Sequence, residues 1–348
     1  MMKKYKVILT GLGRIGWQSH LPAIMKHPGL ELAAAVDPLP ERCAECRRQY
    51  PSVRTYCTLD EALRAEKADI TVIASPTCFH AEQVIQALRS GSHVFCDKPA
   101  AMNSAELEKM ISAADSCKKI FTVFQPERCS AEANFMRKLI SSGRLGEIFQ
   151  LRMCRYRYSR RNDWQAMRKN GGGMLLNYGS HLVDQANSLF KEDPHLLCCT
   201  ADRIISAGDG DDVVELLLRY GRVMVDISIN QAAADSLYSI ALFGTRGSAV
   251  LPVKSSSWRV STMTSELNTG TAVNLGFAAP GRKYPQNSGI FQSTDEIMPE
   301  QELPVDLYYN NLYDAVTEGT SLLNPLSETV KLVRLIDEAY QKSQEIAG

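Results

Sequence analysis

Lys6-Val7-Ile8-Leu9-Thr10-Gly11-Leu12-Gly13-Arg14-Ile15-Gly16 is the stretch that decides the fold. Val7, Ile8 and Leu9 read as a short buried strand, after which Gly11, Gly13 and Gly16 supply G-x-G-x-x-G as the chain turns into a helix. Gly11 allows the tight turn, Gly13 lets backbone approach a pyrophosphate with no Cβ in the way, and Gly16 lets the helix pack closely on the strand. The helix N-terminus, at Arg14 and Ile15, then offers unpaired N–H groups and a partial positive charge to phosphate. A second apolar run, Leu30 to Val36, ends at Asp37, 21 residues after Gly16, where a carboxylate can bind adenosine ribose hydroxyls. An ordinary glycine-rich turn does not require that acid. Asp37 repels a 2′-phosphate, so NAD is favoured, while Arg42 nearby keeps NADP open.

Beyond this unit strands and helices alternate, the pattern of a doubly wound parallel sheet. The strands are Leu30–Val36, Asp69–Ser75, His93–Cys96 and Phe121–Phe124, and the helices about Arg14–Lys26, Pro40–Gln49, Leu59–Glu66, His80–Ser90 and Ser104–Ser116. Ligands in such sheets bind beyond the carboxyl ends of the strands. That rule selects Gly11 to Gly16, Asp37, Ser75-Pro76-Thr77 with His80, Asp97-Lys98-Pro99 and Gln125 as the residues of one cofactor crevice. From about Ala131 the texture changes to a helix, a long strand from Ile148 to Tyr158, and further strands near 196–204, 213–220, 222–230, 238–243 and 248–252. The fold expected is therefore α/β: a parallel domain over residues 1–124, and an α+β domain with a large, mostly antiparallel open sheet over 125–348. Two helices, about Val305–Glu318 and Ser327–Glu345, close the chain near the first domain. Ser255 to Glu300 is rich in Ser, Thr, Gly and Pro and yields no assignment.

Composition narrows the partners. Lys plus Arg and Asp plus Glu number 39 each, so no global charge draws the chain to nucleic acid or to an anionic membrane, and no run reaches transmembrane length. The ten cysteines are scattered rather than framed for disulfides, and Cys43-x-x-Cys46 lacks a second ligand pair, so no metal site is expected. The basic Met1–Lys6 segment lacks the continuous apolar stretch and cleavage site of a signal peptide, which points to the cytoplasm.

Two places carry candidate chemistry. In Gly171-Gly-Gly-Met-Leu-Leu-Asn177-Tyr-Gly179-Ser-His181-Leu-Val-Asp184, helical spacing of about 100° per residue puts Asn177, His181 and Asp184 in one sector. Leu182, Val183, Ala186, Leu189 and Phe190 fall on the other side. A histidine between two groups able to orient it is an acid–base candidate, and a solvated helix face is the plainer alternative. Gly179, a poor helix former, signals an irregular turn or a close backbone contact. Lys98, at a strand end before Pro99, would have its ammonium disfavoured by burial beside an oxidised nicotinamide. It is otherwise a surface lysine.

These motifs together resemble the glucose–fructose oxidoreductase, inositol 2-dehydrogenase and MocA family. The resemblance rests on Gly11-x-Gly13-x-x-Gly16, Asp97-Lys98-Pro99, Phe124-Gln125, Leu139-Ile-x-x-Gly143-x-Leu-Gly146-Glu147-Ile148, Arg161-x-Asp163-Trp164, and the glycine run leading to His181 and Asp184. It implies an N-terminal Rossmann domain, a homodimer or homotetramer, and hydride transfer between NAD(P) and a sugar, sugar acid, polyol or glycoside. It further implies Lys98 and His181 as catalytic residues, with Asn177 and Asp184 beside them at the substrate, and Ser75 to His80 and Trp164 around the cofactor. On this reading His181 would take the hydroxyl proton, Lys98 would steady the oxyanion and share the proton, and Asn177, counted with them among the catalytic residues, would orient the substrate. Two positions depart from the family pattern: Asp97 stands where Glu is usual, and Asn177 where an acid is common. An amide bonds a hydroxyl but takes no proton at neutral pH. Redox-neutral glycoside cleavage or epimerisation with retained NAD, and a non-catalytic dinucleotide sensor, are the alternative functions.

Overall fold

The computed structural model describes residues 4–265 and 288–347. Six parallel strands, β1 (Tyr5–Thr10), β2 (Leu30–Val36), β3 (Arg54–Tyr56), β4 (Ile70–Ile73), β5 (His93–Asp97) and β6 (Phe121–Phe124), form a sheet in the order β3-β2-β1-β4-β5-β6. The order reverses at β1/β4, the place where doubly wound sheets open a crevice. The strands at that point are apolar on both faces: Val7, Ile8, Leu9, Ile70, Val72 and Ile73 are fully buried. Edge strand β3 had no sequence signal because three residues are too few to show a period. The first helix starts at Arg14 as expected but passes through a π-helical turn, Gly16–His20, before α1 (Leu21–Lys26).

The helices α2 (Pro40–Gln49), α3 (Leu59–Ala65), α4 (His80–Arg89) and α5 (Ser104–Cys117) cover the sheet. A capping box starts α3, with the Glu61 N–H donating to Thr58 Oγ1 and the Thr58 N–H to Glu61 Oε2. Cys43 and Cys46 are buried in α2, and none of the cysteines is paired.

After α6 (Ala131–Ser142) the chain builds an eight-stranded sheet from β7 (Ile148–Tyr156), β8 (Pro194–Asp202), β9 (Val213–Tyr220), β10 (Val223–Asn230), β11 (Ile240–Gly244), β12 (Gly247–Leu251), β13 (Ser257–Met263) and β14 (Phe291–Ile297). Its order is β14-β13-β12-β11-β7-β10-β9-β8, antiparallel except where β7 meets β10. Strands β13 and β14 lie in the stretch that sequence left unassigned, of which residues 266–287 are outside the described part. Trp258 and Val260 alternate inward on β13 about Arg259, a period too short to show among the flanking Ser and Thr. One face of this sheet packs on α6, α7 (Ser180–Asn187) and α9 (Leu326–Ala347) in a common core.

The last two helices complete the cores, α8 under the parallel sheet and α9 between the two sheets. On α8 (Pro304–Glu318), Tyr308, Tyr309 and Leu312 enter the core beneath the parallel sheet, and buried His20 is hydrogen-bonded to the Tyr309 hydroxyl at 2.9 Å. Burial pushes the His20 pKa down to about 3, so this contact is made by a neutral imidazole. On α9, Leu332 and Ile336 face the antiparallel sheet while Val333 joins the core shared with α4 and α5. A bidentate ion pair adds the tightest tie. Arg128, in the short turn Pro126–Cys129 after β6, donates to Asp184 of α7 through Nε (3.0 Å) and Nη2 (2.5 Å), and through Nη1 to the Leu323 carbonyl (3.2 Å).

Asp184→Ala leaves the Arg128 guanidinium buried and uncompensated, and should cost about 3–5 kcal/mol in urea unfolding, most of it recovered in Arg128→Met/Asp184→Leu. A second expectation separates two glycines of the first turn. A Cβ on Gly16 would overlap the Gly11 carbonyl oxygen, whereas one on Gly13 meets nothing nearer than Arg42 at 4.0 Å. Gly16→Ala should therefore lower the melting temperature by several degrees, and Gly13→Ala should stay within about 0.5 kcal/mol of wild type.

Candidate active site

The carboxyl ends of β1, β2, β4, β5 and β6 open into one crevice of about 1680 Å³, closed on the far side by residues from the second sheet. A single small-molecule site spans roughly 300–1,000 Å³, so the crevice has room for a dinucleotide and a second ligand. Gly11, Gly13, Arg14, Ile15, Asp37, Ser75, Pro76, Thr77, Asp97, Lys98, Trp164, Asn177 and His181 all line it. Gly16, His80, Gln125 and Asp184 do not.

Gly11 adopts φ +93° beneath Ala74, whose carbonyl oxygen would stand 2.5 Å from any Cβ there. Gly13 faces open space at the start of the helix. That is the cradle a pyrophosphate needs, with the Cβ-free approach at the position where the motif requires it. Asp37 is almost wholly buried and held by three donors: the Leu12 N–H at 2.8 Å, the Leu39 N–H at 3.0 Å and Arg42 Nη1 at 3.1 Å. A carboxylate has about four acceptor positions, which leaves roughly one for a ribose hydroxyl. The half-exposed Arg42 offsets its charge at the place where a 2′-phosphate would lie.

His80 is a strut under the crevice. Its ring nitrogens lie 2.8 Å from the Pro99 and Ser75 carbonyl oxygens, linking the loops after β4 and β5, and burial lowers its pKa. Gln125 is buried below the crevice floor. Tyr308 donates to its backbone carbonyl at 3.0 Å, and its side-chain amide has no partner among the described residues.

The glycine run positions the catalytic candidates by packing. A Cβ on Gly172 would overlap the Gln165 carbonyl oxygen, and one on Gly173 would stand 2.5 Å from Asp211 Oδ1. Asp211 Oδ2 then accepts the Leu175 N–H at 2.7 Å, fixing the start of a π-helical turn, Leu175–Gly179, that runs into α7. Gly179 ends that turn, the irregularity its presence foretold. His181 and Asp184 both lie in the regular helix α7, about 60° apart around its axis, and that offset separates the crevice side from the Arg128 side. Asn177 and His181 reach the crevice, whereas Asp184, expected beside the substrate, is turned inward and taken up by Arg128.

Lys98 Nζ donates to Asn177 Oδ1 at 2.7 Å and to the Asn177 carbonyl at 3.0 Å. Burial lowers its pKa to about 8 against the opposing pull of Asp97 and Glu127. The Asp97 carboxylate accepts the Lys98 N–H at 2.8 Å, and burial lifts its pKa to about 6. The Asn177 amide also donates to Gln165 Oε1 at 3.3 Å, so its side chain holds Lys98 in place and is already occupied on both ends. His181 carries a buried Nδ1 with no partner among the described residues, and burial, with Lys98 and Arg155 nearby, takes its pKa well below the usual imidazole range. It is neutral at pH 7.

Sequence reasoning overlooked Glu127, which lines the crevice beside Lys98 and whose pKa burial raises. It sits in the four-residue turn Pro126–Cys129, too short to show a period. Gln165, in the three-residue turn Trp164–Ala166, was missed for the same reason, whereas Tyr178 falls outside the sector that regular helical spacing selects around Asn177 and His181.

Comparison with known proteins agrees with this geometry. The oxidoreductase family profile with an NAD-binding Rossmann fold matches residues 5–125, and the GFO/IDH/MocA C-terminal domain matches residues 134–250. The chain is 31% identical over 261 residues to an uncharacterized oxidoreductase of Schizosaccharomyces pombe, covering 71% of this chain and 70% of that protein. It is 22% identical to scyllo-inositol 2-dehydrogenase (NADP(+)) of Bacillus subtilis, over 98% and 94% of the two chains. An NAD-binding protein from Listeria innocua superposes with a TM-score of 0.84 at 22% identity, covering 99% and 96%. The parallel sheet with its glycine cradle, the open antiparallel sheet and these matches place the chain in the GFO/IDH/MocA family of NAD-binding oxidoreductases.

Proposed function

We propose that this protein oxidises a secondary alcohol of a sugar, polyol or glycoside, or reduces the matching ketone, with Lys98 as the proton carrier. The observation that carries the reading is the Lys98 ammonium, tethered by two of its three N–H groups to Asn177 while its pKa stands at about 8. The relative that acts on scyllo-inositol supports a polyol-like substrate. The residues fit NAD: Gly11 and Gly13 for the pyrophosphate, Asp37 for the adenosine ribose, and Asp97, Lys98 and Trp164 along the nicotinamide end. When bound, NAD supplies the two-electron acceptor for the carbon being oxidised.

The protein's own part is proton handling. At pH 7 about one lysine in ten with a pKa near 8 is the free amine, enough for a base matched to its task. Lys98 takes the substrate hydroxyl proton at Nζ, and the resulting ammonium is held by Asn177 Oδ1 and the Asn177 carbonyl. His181, already neutral and depressed in basicity, bonds the same hydroxyl and orients it. This ordering moves to Lys98 the proton that the sequence reading shared between His181 and Lys98. Asn177 acts as a positioning residue: an acid there would pair with Lys98 and keep it charged.

Lys98→Met and His181→Ala test the assignment in single-turnover measurements of NADH formation on a sugar and polyol panel. Lys98→Met should lose about 10²–10⁴-fold and His181→Ala a smaller factor, with NADH affinity nearly intact. Unchanged turnover in both removes the reading. Asn177→Asp should move the rising limb of the pH–rate profile for alcohol oxidation upward by about one unit or more, since a carboxylate against Lys98 raises its pKa. A profile that stays in place shows that Lys98 is not the titrating base.

A further inference from the structure

We infer that the substrate carries an anionic group, a carboxylate or phosphate, which Arg155 binds at the end of β7. The inference rests on the alcohol-oxidation reading above and deepens it.

The register of the second sheet makes Arg155 anomalous. Along β7, Leu151 and Met153 face the core, and the parallel partner strand β10 sets Val225 opposite Leu151, Ile227 opposite Met153 and Ile229 opposite Arg155. All of those neighbours are fully buried members of one apolar cluster. Successive residues on one face of a strand share their surroundings, and paired residues in a parallel ladder share a face. Arg155 therefore continues an apolar row with a cation at the point where the sheet runs out under the crevice, and it lines that crevice.

Its guanidinium is braced but not neutralised. Cζ lies 4.8 Å from the centroid of the Tyr178 ring, and Nη2 donates to the Tyr178 hydroxyl at 3.3 Å. The Tyr178 ring in turn stands 6.1 Å from the His181 ring, so one aromatic ring separates the cation from the His181 imidazole. Among the described residues no carboxylate pairs with Arg155, nor with Arg160, which lines the same crevice. Arg161 is matched by Asp163. Asp97 and Glu127 supply two negative charges against Lys98, Arg155 and Arg160, which leaves a cationic excess of about one. The cofactor does not need it. Its pyrophosphate belongs to the Gly11–Gly16 turn on the other sheet, while a forked guanidinium with its outer N–H groups open is shaped for a planar or tetrahedral oxyanion.

The test uses the NADH-loaded full-length protein, with glucose, glucuronate and glucose 6-phosphate titrated against NADH fluorescence. The anionic sugars should bind about tenfold or more tighter than glucose. Which anion leads tells carboxylate from phosphate. Arg155→Met should bring the anion-to-neutral ratio near one, and Arg155→Lys should restore part of it, with NADH affinity as the check on folding. Equal binding of acid and neutral sugar, failure of both anions to bind, or a preference that survives Arg155→Met overturns the inference. The alcohol-oxidation reading fails separately, when a ligand binds and no panel member is oxidised by NAD.

Discussion

The buried pair between Arg128 and Asp184 is the constraint on which the site depends. Arg128 leaves the parallel sheet directly after β6, and Asp184 belongs to the helix that carries His181. Two charges removed from water at this depth are tolerable only in close, bidentate contact, so the geometry between sheet and helix is fixed within narrow limits. His181 lies almost one helical turn before Asp184 and Asn177 nearly two, and the clamp therefore sets both over Lys98. The third bond of Arg128, to the Leu323 carbonyl, brings the connection between α8 and α9 into the same lock.

The fold itself was largely legible, for a physical reason. Strands buried on both faces are nearly continuous apolar runs, and Leu30–Val36, with only Glu31 exposed, and Phe121–Phe124 declare themselves to the residue. The open sheet was legible where polar and apolar residues alternate, as in Val213–Tyr220. It was not legible at β13, where only Trp258 and Val260 mark the inner face among Ser and Thr, nor at three-residue β3. Tertiary contacts, not local pattern, hold those strands.

The site divided along similar lines. Residues that follow strand ends, such as Ser75, Asp97 and Lys98, obey a topological rule, and the crevice collects them. Residues assigned by helical phase did not all follow, because a sector some 60° wide spans both the crevice side of α7 and the side that Arg128 occupies. Asp184 was lost to the crevice for that reason, and Glu127 came in from a turn with no period. His80 and Gln125 share a strand-end address with the crevice residues but face beneath it. An address at a strand end fixes where the backbone stops, not where a side chain points.

The distribution of carboxylates explains why an amide at 177 is compatible with acid–base chemistry. Asp37 is committed to backbone N–H groups and Arg42, Asp184 is held outside the crevice by Arg128, and Glu127 lines the crevice with its pKa raised by burial. Asp97 binds the backbone of Lys98 rather than its ammonium, and burial lifts its pKa to about 6. No described carboxylate forms an ion pair with Lys98 Nζ, which is held by oxygens of Asn177 that carry no formal charge. Such a cradle orients the ammonium and stabilises it less than an acid would, leaving burial free to bring its pKa to about 8. A carboxylate at 177 would supply a proton acceptor but bind up the lysine. An amide leaves the lysine itself to serve.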